Sequence, residues 1–235
     1  MLSIAKEVIN GLLDFVYPKV CVGCEEVVDT FLCDSCKESI IVIEPPICKV
    51  CGIPSDYPTC YDCKDAQYYF DCAASACLFE GTMQKSIWKF KFNGITELAE
   101  ELSKLMIESY ALHFKYKHID IAVPIPIHPR RMVDRGFNQS DILGAKLCTS
   151  LNIPYSTNIL KKIKHTKDQI NLSLDDRIVN LIGAFKVSPN ADIKDKNILL
   201  IDDVFTTGST ANEAAKTLKE AGAAEVYAYT AGRTV

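Results

Sequence analysis

The sequence lacks the features that would assign it to a membrane or to the secretory route. No apolar run approaches the roughly 20 residues that a transmembrane helix requires. The first residues lack the basic start and the small-residue cleavage site of a signal peptide. The charged and apolar fractions, 24% and 48%, are ordinary for a soluble protein. We therefore expect a cytoplasmic protein without a membrane span.

A strong excess of positive charge is also missing, since the formal net charge is -4. Residues 1–82 carry 5 basic and 13 acidic side chains, whereas residues 83–235 carry 21 and 17. This distribution differs from the footprint of a strongly basic nucleic-acid binder. The mild basic excess of the longer part indicates where an anion would bind.

Residues 1–17 are predicted to form an amphipathic helix. Ile4, Val8, Leu12 and Phe15 share one helical face. The expected role of this face is packing on the protein's own body, and docking to a partner is the alternative.

Eleven cysteines are present, and their spacing is informative. Residues 18–66 contain four CxxC pairs arranged as CxxC-x8-CxxC, twice, which is an internal repeat. A CxxC turn presents two thiolates to one metal, and two such turns complete a closed, structural zinc site with four cysteine ligands. Gly23 and Gly52 lie where these turns tighten. The predicted zinc ligands are Cys21, Cys24, Cys33, Cys36, Cys48, Cys51, Cys60 and Cys63.

Two zinc ions, each held by neighbouring pairs, are the simplest arrangement of these ligands. A cross-braced pairing or a single metal is possible as well. A disulfide framework is disfavoured because it requires an oxidising compartment. Cys72, Cys77 and Cys148 lie outside the repeat and are expected to be buried apolar residues, since a catalytic thiol would need a partner that is not evident.

A second motif lies near the C-terminus. The apolar run Ile198–Ile201 predicts a buried parallel strand, Asp202 and Asp203 follow it, and residues 211–220 predict a helix. Ligands bind at this edge of open α/β sheets, where a glycine-containing loop and a helix start can hold a phosphate. An ordinary helix cap is the alternative interpretation. The phosphate-binding loop is predicted to comprise Thr206, Thr207, Gly208, Ser209 and Thr210.

Cations cluster after another predicted strand, residues 119–123. The proline-rich segment that follows carries His128, Arg130, Arg131 and Arg135, and arginine binds phosphate oxygens through a bidentate fork. Lysines also crowd residues 160–167, which is either a solvated loop or a cover over a polyanionic substrate. With strands predicted near residues 72–79 and 226–230, residues 72–235 are expected to form an α/β domain with a mostly parallel sheet.

The acidic pair and the hydroxyl-rich loop resemble the phosphoribosyl pyrophosphate (PRPP) signature of type I phosphoribosyltransferases. This resemblance implies that Asp202 and Asp203 bind the ribose hydroxyls and that residues 206–210 hold the 5′-phosphate. It also implies Mg²⁺ as a cofactor with PRPP, and Arg130, Arg131 and Arg135 are candidates to bind the pyrophosphate.

Nearly the whole chain resembles the ComF family of late competence proteins, which includes the GntX proteins. The resemblance rests on the CxxC pairs, the acidic-pair motif and the segment from Pro126 to Gln139. It also rests on Gln169, Leu172, Arg177, Asn180, Ala184 and Phe185. The family implies a zinc-binding module on a type I phosphoribosyltransferase fold, and a role in natural transformation. That role is the handling of incoming single-stranded DNA beside a helicase-like partner.

Three functions fit these patterns. The first is a binding module for single-stranded DNA or a phosphoribosyl end, and the second is an active phosphoribosyltransferase with an unidentified acceptor. The third is a protein that senses PRPP without turnover. The intact acidic pair favours PRPP binding, whereas the absence of a recognisable base-binding segment argues against an ordinary salvage enzyme.

Overall fold

The computed structural model describes residues 19–166 and 180–235. The predicted helix of residues 1–17 lies outside these residues, as do Lys167, Gln169, Leu172 and Arg177. The helices are α1 Asp34–Glu38, α2 Gly81–Asn93, α3 Leu98–Phe114, α4 Pro129–Arg135, α5 Gln139–Leu151 and α6 Ser209–Glu220. The strands are β1 Cys72–Leu78, β2 Ile121–Pro124, β3 Leu160–Lys162, β4 Phe185–Val187, β5 Asn197–Phe205 and β6 Glu225–Arg233.

The main sheet has the strand order β1-β6-β5-β2, and all three of its strand pairs are parallel. The strand β5 is therefore central, with β6 on one side and β2 on the other. The strands β3 and β4 form a separate antiparallel pair. The prediction of an α/β domain with a mostly parallel sheet is confirmed.

Alternation along the central strand divides the core between the two faces of the sheet. Leu199 and Ile201 of β5 pack with α3 and α5 on one face. Ile198 and Leu200 pack with α6 on the other face. A strand that is buried on both faces is apolar at successive positions, which explains the continuous run in the sequence.

The strand β5 extends beyond the predicted run and includes the acidic pair. Asp202 is in register with Thr230, and Phe205 is in register with Arg233 of β6. The predicted strand covers only the apolar run Ile198–Ile201, with the two carboxylates placed after it. The continued pairing with β6 holds them in extended conformation at the carboxyl end of this central strand.

The lysine-rich segment is only partly a loop. Its first residues form β3, which pairs with β4. In this pairing Leu160 lies opposite Val187, and Lys162 lies opposite Phe185. Lys164 and His165 are exposed. The alternative of a wholly solvated loop is therefore wrong for residues 160–162, because an antiparallel partner lies beyond the reach of local sequence patterns.

The linker between the two CxxC-x8-CxxC units adds to the edge of the main sheet. The N–H of Ile43 donates to the carbonyl of Ala76 at 2.8 Å, and the N–H of Leu78 donates to the carbonyl of Ile41 at 2.9 Å. The bridge between Val42 and β1 is antiparallel. This segment therefore covers part of an edge strand that would otherwise expose unpaired backbone groups.

The first cysteine-rich unit packs on α2 and shares the core of one sheet face. Cys21, Val22 and Leu32 are buried in the same cluster as Ile87. The ammonium of Lys85 donates to the carbonyl of Gly23 at 2.7 Å. The first cysteine-rich unit is thus docked against the protein's own helical layer.

The second cysteine-rich unit packs on the other face of β1. The N–H of Ala73 donates to the carbonyl of Val50 at 2.8 Å. Gly52 has a φ of 72°, and a Cβ atom there would lie 2.5 Å from the carbonyl oxygen of Ala73. A glycine is therefore required at position 52, where the two backbones approach closely. The buried guanidinium of Arg233 adds a further contact to this unit, since it donates to the carbonyl of Cys51.

Across residues 19–166 and 180–235, no helix has the length and apolarity needed to cross a membrane.

Candidate functional site

Each cysteine-rich unit gathers four thiols into a cluster suited to zinc. The sulfur atoms within each group of four lie within 4.8 Å of one another. Tetrahedral coordination with Zn–S bonds of about 2.3 Å places sulfur atoms about 3.8 Å apart. The Sγ atoms of Cys24 and Cys33 are 3.8 Å apart, and those of Cys51 and Cys60 are also 3.8 Å apart. The donor sets therefore fit the metal.

The clusters join neighbouring CxxC pairs, as in the simplest predicted arrangement, and they repeat a hydrogen bond. The N–H of Cys33 donates to Sγ of Cys21 at 3.4 Å, and the N–H of Cys60 donates to Sγ of Cys48 at 3.3 Å. Such bonds stabilise thiolate sulfur, which is the form that binds metal. One cluster comprises Cys21, Cys24, Cys33 and Cys36, and the other comprises Cys48, Cys51, Cys60 and Cys63. The remaining Cys77 and Cys148 are buried, and Cys72 is half-buried.

A separate cleft of about 230 Å³ opens at the carboxyl ends of β2 and β5. Asp202 and Asp203 line it together with Thr206 and Thr210 of the predicted phosphate loop. The strand β5 positions the two carboxylates, and α6 begins at the far end of the loop. The structure thus brings the acidic pair and two of the five predicted phosphate-loop residues into one cavity, whereas Thr207, Gly208 and Ser209 are not among the described residues that line it.

The two carboxylates occupy different environments. The hydroxyl of Ser140 donates to Oδ1 of Asp202 at 2.7 Å. The ammonium of Lys91 lies 2.7 Å from Oδ2 of Asp203, whose side chain is buried. Each carboxylate therefore has a side-chain partner. A sugar hydroxyl or a cation that binds the carboxylate would replace that partner.

Desolvation at the floor of the cleft raises the pKa of Asp202 to about 7. The negative charge of Asp203 raises it further, whereas Lys91 and the hydroxyl of Ser140 oppose the shift. Burial and the neighbouring charge of Asp203 therefore favour the protonated form of the Asp202 carboxyl group more than water would. This environment is typical of a functional site.

The phosphate loop is held from below by an aromatic ring. Gly208 has a φ of 76°, and a Cβ atom there would lie 2.5 Å from Cζ of Phe205. The guanidinium of Arg233 lies over the Phe205 ring, 5.1 Å from its centroid. Within the loop, the hydroxyls of Thr207 and Ser209 are hydrogen bonded at 2.8 Å. The loop therefore rests on a packed side chain.

Local capping explains how the cations reach the cleft. Pro129 begins α4, and Nδ1 of His128 accepts from the N–H of Arg130 at 3.2 Å. Arg131 and Arg135 then face the cleft, since α-helical residues four apart lie on one side. Arg130 is exposed and is not among the described residues that line the cleft. The structure thus separates Arg130 from the other two predicted pyrophosphate ligands.

Several residues of the cleft were not selected from the sequence as site residues. Lys91 and Ser140 contact the acidic pair, and Trp88 and Phe92 form part of the wall. The lysine cluster on α2 was the only sequence signal for Lys91. The sequence contains no signal for Ser140, because its proximity to Asp202 depends on how α5 packs on the sheet.

Comparison with known proteins adds family matches and relatives. The chain matches the family described as "Double zinc ribbon domain" over residues 12–68, and the family described as "Phosphoribosyl transferase domain" over residues 140–232. Competence protein F of Haemophilus influenzae is 31% identical over 216 residues, which cover 83% of this chain and 94% of the relative.

Two further relatives have similar coverage. Competence protein ComFC of Bacillus subtilis is 29% identical over 210 residues, which cover 86% of this chain and 84% of the relative. DNA utilization protein YhgH of Escherichia coli K12 is 28% identical over 210 residues, which cover 87% of this chain and 91% of the relative. These relatives match along most of the chain.

The fold and the comparisons agree. The parallel sheet, with its acidic pair at a carboxyl edge, has the type I phosphoribosyltransferase fold, and the two four-cysteine clusters form a double zinc ribbon. Both predictions from the sequence are confirmed. With a relative at 31% identity along nearly its full length, the chain belongs to the ComF family of competence proteins.

Proposed function

We propose that the protein binds a phosphoribosyl ligand such as PRPP in the cleft and handles incoming single-stranded DNA during natural transformation. The observation that carries this proposal is the cleft itself, which is lined by the acidic pair, by Thr206 and Thr210 of the hydroxyl loop, and by two arginines. The names of the relatives, which mention competence and DNA utilization, support the DNA part. The site of action is the cytoplasm, where a helicase-like competence protein is the proposed partner.

In this proposal the carboxylates, the loop and the arginines bind different parts of the ligand. Asp202 and Asp203 accept hydrogen bonds from the ribose hydroxyls, and residues 206–210 bind the 5′-phosphate at the start of α6. Arg131 and Arg135 bind the pyrophosphate or the phosphates of a DNA strand. Arg130, which is exposed, has an auxiliary electrostatic role.

The carboxylates also suit Mg²⁺, a hard cation that proteins hold through one or two carboxylates together with substrate phosphates. Asp203 is the better placed of the two, because its Oδ2 atom already neutralises a cation, the ammonium of Lys91. The ion would supply positive charge next to the phosphates. Lys91 would then be displaced toward the ligand's phosphates.

DNA binding is expected to depend steeply on salt. Each phosphate contact contributes about 0.7 to the slope of log affinity against log salt for single strands. Fluorescence anisotropy with a labelled oligothymidylate measures this slope, and Arg131→Gln/Arg135→Gln is expected to reduce it by about 1.4. The matched control, Arg130→Gln, carries the same change outside the cleft and is expected to retain most of the slope.

Thermal unfolding establishes that the variants are folded. An interaction with oligonucleotides that is absent or insensitive to salt contradicts the DNA part of the proposal. An equal loss of slope in the control variant contradicts the assignment of the cleft as the phosphate track.

The second candidate function is catalysis of phosphoribosyl transfer. It is favoured by the cleft extending past the acidic pair to Phe79, Ile87 and Trp88, which leaves a wall for an acceptor. The C1–O bond to pyrophosphate would break as a bond from C1 to the acceptor forms, and positioning and electrostatics would carry the reaction. Pyrophosphate release above that of Asp203→Asn, with a panel of nucleobases, distinguishes turnover from binding.

A further inference from the structure

The wall of the cleft opposite the phosphate loop carries two exposed aromatic rings. The side chains of Trp88 and Phe92 are 50% and 49% exposed, and their ring centroids are 5.0 Å apart. Among residues 19–166 and 180–235, they are the only exposed tryptophan and phenylalanine side chains. Two large rings left side by side in water indicate a surface that a ligand covers.

These rings lie next to two cationic side chains, those of Arg135 and Lys91. The guanidinium of Arg135 lies 5.5 Å from the Phe92 ring, and Lys91, between the rings in sequence, contacts Asp203. Arg135 also donates to Oε1 of Gln139, which orients it along the wall. The cleft therefore combines an aromatic surface, cations and the acidic pair.

Helix geometry explains the arrangement. Trp88 and Phe92 are four residues apart on α2 and so lie on one face, whereas Ile87 and Phe90 point into the core. The buried side fixes the helix, so the backbone positions that carry the two exposed rings are set before a ligand arrives. Aromatic side chains have few rotatable bonds, so ordering them on binding costs little conformational entropy.

We propose that Trp88 and Phe92 form a stacking subsite for a nucleobase, adjoining the phosphoribosyl site. Bases stack on aromatic side chains irrespective of sequence, and nearby arginine adds to the attraction. The proposal rests on the proposed function, because the ribose and phosphate of the same ligand occupy the adjoining site. The base belongs either to single-stranded DNA or to a free acceptor, and both present the same planar face.

The subsite can be observed directly, because Trp88 is the only tryptophan in the sequence. A stacked base is expected to quench its fluorescence. In the zinc-loaded full-length protein, a nucleoside monophosphate and a short oligothymidylate are expected to quench Trp88. Ribose 5-phosphate, which has the same sugar and phosphate without a base, is expected to leave the emission unchanged.

A matched pair of variants tests the second ring. Phe92→Leu keeps the fluorophore, Trp88. It is expected to lower the affinity for base-containing ligands at least about fivefold, which corresponds to about 1 kcal/mol, the lower end of the free energy of stacking one base on an aromatic ring. Tyr116→Leu removes an aromatic ring that is 90% exposed and lies outside the cleft, and it is expected to leave the affinity unchanged. If Phe92→Leu does not fold, the comparison of base-containing ligands with ribose 5-phosphate still tests the subsite, because it uses the unmodified protein.

The outcomes separate this inference from the proposed function. Equal quenching by ribose 5-phosphate, or calorimetric binding of base-containing ligands without quenching, overturns the stacking subsite. If PRPP binds but no base-containing ligand quenches Trp88, the proposed phosphoribosyl site is supported and the stacking subsite is contradicted. Quenching by a free base only when PRPP is present identifies an acceptor, whereas quenching by oligothymidylate alone identifies DNA, and both support the subsite.

Discussion

Removal of zinc is expected to unfold both ribbons and to uncover the edge of β1. In zinc-finger peptides a structural zinc contributes about 10–16 kcal/mol of apparent binding free energy, which is also folding free energy. Here the ribbons supply part of the core on each sheet face, including the buried Leu32 on one face and Cys48 on the other. Metal loss is therefore expected to destabilise the whole chain rather than a separate appendage.

Zinc content measured by mass spectrometry of the intact protein, together with thermal unfolding, tests this prediction. The expected content is two zinc ions per chain. Cys33→Ser and Cys60→Ser are each expected to lose one zinc and to lower the unfolding temperature. The matched control is Cys72→Ser, which changes a half-buried cysteine of β1 outside both clusters. A protein that folds normally without metal, or that retains two ions in either ribbon variant, contradicts the assignment.

The second large effect is expected from Gly208→Ala in the phosphate loop. A side chain in the left-handed region costs about 1–2 kcal/mol, and here the new methyl group also meets the Phe205 ring. The ring cannot yield easily, because Phe70 packs against its edge and Arg233 lies over its face. The loop must shift instead, and this shift is expected to weaken its contacts with the phosphate. A loss of about 1.4 kcal/mol of binding free energy corresponds to a tenfold loss of affinity.

We therefore expect Gly208→Ala to weaken PRPP binding at least about tenfold in a calorimetric titration. Gly222→Ala is the matched control, since Gly222 has a φ of 100° but its added Cβ would meet no atom closer than 3.5 Å. Its side chain at positive φ is expected to lower the free energy of unfolding by about 1–2 kcal/mol and to leave the PRPP affinity unchanged. Unchanged PRPP affinity in Gly208→Ala would show that the loop does not hold the phosphate.

Repeated and strongly patterned features were predictable from the sequence. The two CxxC-x8-CxxC units specify their own metal clusters, because ligand spacing within a turn is a local property. The apolar run at Ile198–Ile201 predicted the central strand for a similar reason, since a strand buried on both faces has no polar alternation. The acidic pair and the loop were predicted from their position after that strand.

Features that depend on packing between distant segments were not predictable. Ser140 reaches Asp202 only because α5 packs on β5. Lys91 reaches Asp203 only because α2 lies beside the carboxyl end of β5, across the cleft that both elements line. The pairing of β3 with β4 depends in the same way on a remote partner. The separation of Arg130 from Arg131 was missed because it follows from the start of α4, which determines the sides on which successive residues lie.

The central claim is that the acidic pair forms a working phosphoribosyl site. Its most direct test is calorimetric titration of the zinc-loaded protein with PRPP and Mg²⁺, comparing the unmodified chain with Asp202→Asn/Asp203→Asn. Asp192→Asn/Asp195→Asn makes the same charge change at two exposed residues outside the cleft and serves as the control. We predict binding by the unmodified chain and by the control, and none by the acidic-pair variant. Absence of binding by the folded, unmodified protein, or undiminished binding by the acidic-pair variant, would contradict the claim.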